Sequence, residues 1–555
     1  MTTRLIFVVL GALLWSAPAS FAQETTGSIE GTVRDASKGV LPGVSVTVAG
    51  PAIMGPRTVV TGERGSYTVR SLPPGKFEIR ASLQGFASIV REQIEVRVGQ
   101  TATIDFDMSV AGVTESTIVT AEAPVIDLRR NSRNFTIDTE AIAFIPLSTS
   151  QQYTDFWVMA PGVRDSLATS TGSQSPSING ASGTQNKVFV DGIDVGDHVN
   201  ASTTTYLNNA IIQEVAISTG GVEAQTGFGT GGVMNIVTKS GGNEFHGGAS
   251  MFLTPKRFNG TNFPGTSPAN VESYYPEGHL GGPIRRDRLW FFASEKYLYE
   301  NTGIFNVTSY KSKIRSHEFY AKASYQPHQR HRLAYVFQHD RRLQDPSFGI
   351  PSFTFDATPV GHFGGYTTGV NWDYQIGRKT LLAVVASYFD KPNQTDGRNG
   401  TNPRTRFANA AGSILTTDGN YDRDQANEQT RPYFSGVLTR SFSGFGGHDL
   451  RLSTELYPRT SRLNRLRLNI IETYRDSAVF GPRQLWTVST PRPLEGAENN
   501  TIDRGYAFGI QDAWRPLRKL TVNGGLRYES NRTEIEGRAE KLLDYDSWSP
   551  RIGAA

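Results

Sequence analysis

The chain has no cysteine among its 555 residues, which excludes a disulfide-stapled scaffold and any thiolate metal site. Export is not excluded, because a large β-barrel closes on its own hydrogen bonds. No apolar run long enough to cross a bilayer as a helix follows the first twenty residues, so helical membrane architectures are removed. Basic clusters are also missing. The formal net charge of +4 arises from 56 basic and 52 acidic residues of mixed order, with no block suited to a nucleic-acid backbone. No His starts the H-x-x-E spacing that a zinc carboxypeptidase requires. His328 and His331 do make an H-x-x-H, but they lie in the stretch QPHQRHR without a nearby carboxylate, which reads as a solvated hairpin turn. Catalytic, cofactor and metal residues are therefore expected to be none.

What is present is glycine and aromatics: 57 Gly, 21 Tyr and 30 Phe with modest hydrophobicity, a composition of strands and turns. The length calls for several domains. At the N-terminus Arg4 precedes the apolar run Leu5 to Trp15, and Ser20-Phe21-Ala22 offers small residues at both cleavage-determining positions. Residues 1–22 are expected to be a signal peptide cut after Ala22, since eleven apolar residues are too few to span.

Residues 23–110 form the first expected domain. GSIEGTVRD, VSVTV, GSYTV and KFEIRAS alternate apolar and polar positions between turns at Leu41-Pro42-Gly43, Thr61 to Gly65 and Leu72 to Gly75, which predicts about seven short strands in a small β-sandwich. The order G-x-V-x-D, L-P-G-V-x-V-x-V, G-x-Y-x-V and L-P-P-G-x-F, ending in Gly85-Phe86, resembles the carboxypeptidase-regulatory-like domain. That resemblance implies a prealbumin-like fold related to carbohydrate-binding modules.

The stretch Gly227 to Phe245, GFGTGGVMNIVTKSGGNEF, reads as a glycine-rich turn, a six-residue strand and a second turn. Gly231 and Gly232 suit a close backbone approach, and Val233 to Val237 have the β-branched character of a buried strand. The run resembles the exit of the plug domain in TonB-dependent outer-membrane receptors. Upstream, Ala160-Pro161-Gly162-Val163, Ser177 to Gly180, Val188 to Asp194 and Ile211 to Val215 follow the order of plug motifs in receptors of the Oar-like kind. The plug is expected over 122–243. Within it, Asp191-Gly192 reads as a tight turn with no catalytic role. Residues 111–121 form a linker in which Thr117, Ile118, Val119, Thr120 and Ala121 resemble the TonB box. The resemblance implies an extended strand, with free backbone donors and acceptors, offered to a TonB-type periplasmic energy-coupling protein.

From residue 244 to 555 the chain reads as barrel. Leu450, Leu452 and Leu456 alternate with Arg451, Ser453 and Glu455, and Leu520, Val522, Leu526 and Tyr528 with Thr521, Asn523 and Arg527. Short polar turns near 327–331, 377–380, 443–448 and 515–519 largely alternate with long connections near 340–365, 391–430 and 473–503, the rhythm of an antiparallel transmembrane barrel. Segment 458–463 breaks the alternation and reads as an irregular continuation of one strand. Tyr325, Tyr335, Trp372, Tyr374, Tyr388, Trp514 and Tyr528 suit interfacial girdles. The hairpin Leu280 to Ile284 with Arg288 to Phe292, and the run Gln511 to Arg515, resemble Oar-like barrels.

The fold class expected is thus mainly β: a prealbumin-like sandwich, an α+β plug and a partial antiparallel barrel. Barrels of this family close with about 22 strands, whereas about a dozen can be found here, and an open edge in lipid is costly. Trp548 to Ala555 resembles the start of another family strand. Together these lead to the expectation that the chain is part of a longer receptor or a C-terminally truncated gene product. The resemblance implies residence in outer-membrane lipid and energy-coupled uptake of an extracellular substrate, a carbohydrate being the class suggested by the first domain. The alternative is a surface adhesion protein that binds macromolecules without transporting them.

Overall fold

The computed structural model describes residues 25–554 apart from 54, 111–116, 121–132, 146–151, 165–175, 197–204, 221–230, 259–271, 305–306, 308, 378, 400–402, 410, 412, 422, 469–470, 478–480, 490–497, 518–519 and 539–540. The expected signal peptide and Ala121 lie outside the described residues.

The first domain contains β1 (Gly27–Asp35), β2 (Ser45–Ala49), β3 (Arg57–Val60), β4 (Ser66–Leu72), β5 (Gly75–Ser82), β6 (Ile89–Val96), β7 (Thr101–Thr103) and β8 (Phe106–Met108). One sheet runs β4-β1-β7 with β8 also on β1; the other runs β3-β2-β5-β6-β9, where β9 is Thr117–Thr120. The two apolar faces meet in a core of Ile29, Val33, Val46, Val48, Phe77, Ile79 and Phe106 with their neighbours. Each such side chain contributes roughly 1.5–3 kcal/mol on burial. Tyr67 carries a polar end into this core, and its hydroxyl donates to the Ile104 carbonyl at 2.6 Å.

The middle domain is built on β10 (Arg133–Asp138), β11 (Val163–Arg164), β12 (Ser177–Ile178), β13 (Lys187–Val190), β14 (Ile193–Asp194), β15 (Ile212–Gly220) and β16 (Val233–Thr238). Five of these strands form one sheet in the order β10-β15-β16-β13-β14. A short helix, α1 (Thr139–Phe144), starts where the Asp138 carboxylate accepts the Ala141 amide at 2.8 Å. The hairpin β13–β14 turns on Asp191 (φ +48°) and Gly192 (φ +78°), the two left-handed residues that a type I′ turn demands.

The remainder is one antiparallel sheet of 12 strands with neighbours largely in chain order. It contains β17 (His246–Thr254), β18 (Glu272–Arg285), β19 (Leu289–Gly303), β20 (Lys311–His328), β21 (His331–Asp345), β22 (Pro359–Ile376), β23 (Thr380–Gly397), β26 (Arg423–Ser443), β27 (Gly447–Leu468), β30 (Glu498–Leu517), β31 (Leu520–Ile535) and β32 (Lys541–Ala554). β17 and β32 stand at its two ends. β24 (Arg404–Ala408), β25 (Ile414–Gly419), β28 (Ile471–Ser477) and β29 (Gly481–Ser489) make a separate small sheet ordered β25-β24-β28-β29. From composition these segments are expected as long connections. They hold β-structure of their own, which Phe353 and Thr354 join by pairing with Thr417. The irregular segment is confirmed in β27, whose pairing with β30 shifts register between Tyr457 and Thr460.

Burial in the large sheet is inside-out. Along β20 the enclosed column is Ser312, Ile314, Ser316, Glu318, Tyr320, Lys322 and Ser324, while Phe319 and Tyr325 point outward. Phe508, Ile510 and Leu526 are likewise exposed, and Glu455 and Arg527 are enclosed. An apolar exterior with a polar interior belongs to a lipid-facing barrel rather than a soluble sandwich. The middle domain fills that interior: Trp157, Ile193 and Ile236 share one cluster with Phe292, Tyr320, Val336 and Val385 of the sheet. The short turns, between β18 and β19, β20 and β21, β22 and β23, β26 and β27, and β30 and β31, share one rim with the start of β17.

Candidate functional site

Three structural joints hold the middle domain together and fasten it and the first domain to the large sheet. The first is the exit strand. β16 spans the six expected residues, and the glycines before it are required for space: a Cβ on Gly231 would lie 2.2 Å from Asn186 Oδ1 and 3.1 Å from the Gln185 backbone. On Gly232 it would lie 2.4 Å from Ile178 Cδ1 and 3.1 Å from both Ser218 O and Trp157. The close approach is therefore to side chains as much as to backbone.

The second joint is Asp191. Its carboxylate accepts the Thr238 amide at 3.0 Å and the Tyr320 hydroxyl at 2.8 Å, and pairs with Lys322 Nζ at 3.1 Å. Lys322 Nζ also donates to the Thr238 hydroxyl at 3.0 Å, so the end of β16, the β13–β14 turn and β20 share one buried polar knot. The Asp191 carbonyl accepts Asn371 Nδ2 at 2.8 Å. The tight turn expected at Asp191 is present, and this second role is not visible in the sequence. A turn needs only backbone tolerance, and nothing in local sequence shows that a lysine 131 positions later points at it.

Further along the interior, Arg431 donates to the carbonyls of Asp194 (2.7 Å) and Gly196 (2.9 Å). The Tyr206 amide donates to Asp340, which also pairs with the fully buried Lys391. Glu455 binds Arg527 at 2.7 Å and lies 3.9 Å from Lys187. Paired in this way, the enclosed charges tolerate their low-dielectric surroundings.

The third joint attaches the first domain to the short-turn rim. Arg70 contacts Ser441 and Asp449 of the sheet; Arg515 binds Asp449 at 2.8 Å and lies 3.7 Å from Glu30. Toward the middle domain, the Val98 amide donates to Glu214 Oε1 at 2.7 Å, and Val98 packs on Ala216 and Val237. Burial pushes the Glu214 carboxyl up to about 7, against the opposing pull of the Val98 amide and Arg97; Glu95 and Asp138 add to the rise. A cavity of about 960 Å³ lies between the three domains, lined by Pro51, Glu214, Asp191, Lys322, Arg332 and Asp373 among others.

Thr117–Thr120 lies apart from these joints. It forms β9, extended as expected, with one edge already paired to β6. His328 and His331 face each other across the β20–β21 turn, where His331 stacks on Tyr374 with centroids 4.3 Å apart. On the opposite rim the Arg398 and Arg404 guanidinium groups lie 3.9 and 4.5 Å above Phe355 and Phe353, within cation–π range.

Comparison with known proteins follows the same division. Residues 28–109 match the carboxypeptidase regulatory-like domain, residues 143–233 the TonB-dependent receptor plug domain, and residues 237–310 an outer membrane beta barrel domain. The chain is 24% identical to the TonB-dependent transporter Oar of Myxococcus xanthus; the match covers 99% of the chain and 61% of that relative's length. Among solved structures, the outer membrane transporter YddB from Escherichia coli superposes with a TM-score of 0.60 at 16% identity, over 76% of this chain and 58% of that one. The siderophore receptor PirA from Acinetobacter baumannii gives 0.52 at 14% identity, over 76% and 58%. At these identities the two structures establish the fold alone. The chain thus joins a carboxypeptidase regulatory-like domain, a TonB-dependent receptor plug and an outer-membrane β-barrel domain in the manner of the Oar-like TonB-dependent receptors.

Proposed function

We propose that the chain serves energy-coupled uptake across the outer membrane: substrate binds at the long-loop rim, a TonB-type protein engages residues 117–121 on the other side, and rearrangement of the plug opens a path through the polar interior. The observation that carries this reading is the plug itself, held inside the sheet through the Asp191 knot with Thr238, Tyr320 and Lys322. A domain seated inside the sheet by enclosed polar contacts beside its apolar packing can shift to open a path, a movement that adhesion does not need. The substrate class to test first is a glycan or glycan-derived compound, on the analogy of the first domain to carbohydrate-binding folds. Recognition and transport involve no covalent chemistry in this scheme.

The test is accumulation of labelled oligosaccharides, iron chelates and peptides by cells with and without the protein, before and after the proton-motive force is dissipated. Energy-dependent accumulation of one class is the expected result. Binding that survives de-energisation, with no accumulation, would replace transport by adhesion.

A further inference from the structure

The segment assigned above to partner docking is part of the first domain's sheet. β9 lies parallel to β6, with Thr117 opposite Ile89, Ile118 opposite Val90, Val119 opposite Arg91 and Thr120 opposite Glu92. It is the outermost strand in the order β3-β2-β5-β6-β9. Among the described residues its other edge carries no strand. An edge strand with a free row of amides and carbonyls is a ready template for another chain. The edge is also built on the correct side, because the first domain is fastened to the short-turn rim through Arg70 and Arg515 and to the middle domain through Val98, and that rim is the one at which the plug exits.

We propose that the outer edge of β9, held in place by β6, is the docking surface for a β-strand of the periplasmic partner, so that docking extends the five-stranded sheet by one strand. This rests on the reading of residues 117–121 as the partner's segment and says how that segment is presented. A strand already ordered on β6 has less freedom to lose when a further strand adds to it than a free tail has. Hydrogen bonds along the outer edge use the amides and carbonyls that do not face β6, so the two pairings are compatible. The carboxypeptidase regulatory-like domain thereby becomes part of the coupling surface.

The absence of cysteine makes the test direct. Glu92→Cys/Thr120→Cys places one thiol on each strand at a registered pair, and a short bis-maleimide joins β9 to β6 in the full chain. Binding of the isolated C-terminal domain of a TonB-type protein is then measured against wild type, against both single-cysteine variants blocked with N-ethylmaleimide, and against Ile118→Pro. The bridge is expected to form, and the bridged protein to bind within about threefold of wild type. Ile118→Pro should bind at least about tenfold more weakly. If the bridged protein loses binding while the blocked single variants keep it, β9 must leave β6 to dock and the proposal is overturned. Failure of the bridge to form would overturn it too, by removing the β6–β9 pairing. If Ile118→Pro binds as wild type does, the assignment of residues 117–121 fails instead, whatever the bridge does.

Discussion

The first sandwich and the large sheet are written in the same alternating pattern, yet they bury opposite halves of it. In β1 the enclosed residues include Ile29 and Val33; in β20 they include Ser316, Glu318 and Lys322, and Phe319 faces out. What differs is the surroundings on each side. The sandwich closes on a second apolar sheet and turns its polar face to water. The large sheet closes on a plug that presents Asp191, Asp194 and Lys187 to it, and its apolar face needs lipid. An alternating strand therefore states that it has two unlike faces, and only the partner of each face says which is the inside.

The comparison can be broken most forcefully at the interior charges. Asp191→Ala leaves Lys322 enclosed without its carboxylate, and a loss of about 3–5 kcal/mol is expected at the plug–sheet contact. It should be seen as protease cleavage of the plug in detergent extracts while the sheet stays resistant, and Asp191→Ala/Lys322→Ala should recover part of the loss. If the single variant resists protease like wild type, the polar knot does not hold the plug.

The apolar interior of the sandwich gives the opposite dependence. Ile79 is fully buried and Ile510 is 47% exposed on the outside of the sheet. Ile79→Ala should cost the first domain about 2–5 kcal/mol, read as a lower thermal midpoint for its cleavage by protease. Ile510→Ala, in detergent, should change that of the sheet by less than about 1 kcal/mol. Equal effects would mean that the two faces are not used differently.

At the joint between sandwich and plug, pH sharpens the contrast. Glu214 lies buried with its carboxyl raised from 4.5 to about 7, so the docked state holds a proton that the separated state releases. The share of that burial supplied by the first domain favours docking below about pH 4.5 and is lost as pH rises to about 7. Chemical cross-linking between the first domain and the plug should fall across that window, and Glu214→Gln should flatten the profile. A profile that rises with pH would reverse the assignment.

The last of these effects is steric. Gly232→Val must displace Ile178 or Trp157, at about 1–3 kcal/mol. It should loosen the plug to protease and leave the first domain's thermal midpoint unchanged; a shift of that midpoint instead would place the strain in the wrong domain.

Much of this architecture was legible beforehand. β1 and β16 occupy the segments read from alternation and turn residues, the hairpin at Arg285 to Leu289 lies where the Leu280 and Trp290 motifs put it, and about a dozen sheet strands became 12. The small sheet of β24, β25, β28 and β29 was hidden, because Asn, Asp, Gly and Pro around it look the same whether a long loop is irregular or folded back into strands. The presentation of Thr117–Thr120 was hidden as well. Its composition suits an extended strand, but the parallel partner Ile89–Glu92 lies some thirty residues back.

By itself the sequence determined which segments are extended, where they turn, and the order of the three domains, since these follow from side-chain periodicity and from the backbone freedom of Gly, Asn and Asp within a few residues. The tertiary structure alone decided which face of the large sheet is interior, that Asp191 meets Lys322, and that β9 rests on β6. Each of these depends on groups far apart in the chain: the first two are decided where the large sheet wraps the plug and removes water from the polar groups between them, the third where the first domain's sheet takes β9 onto its edge.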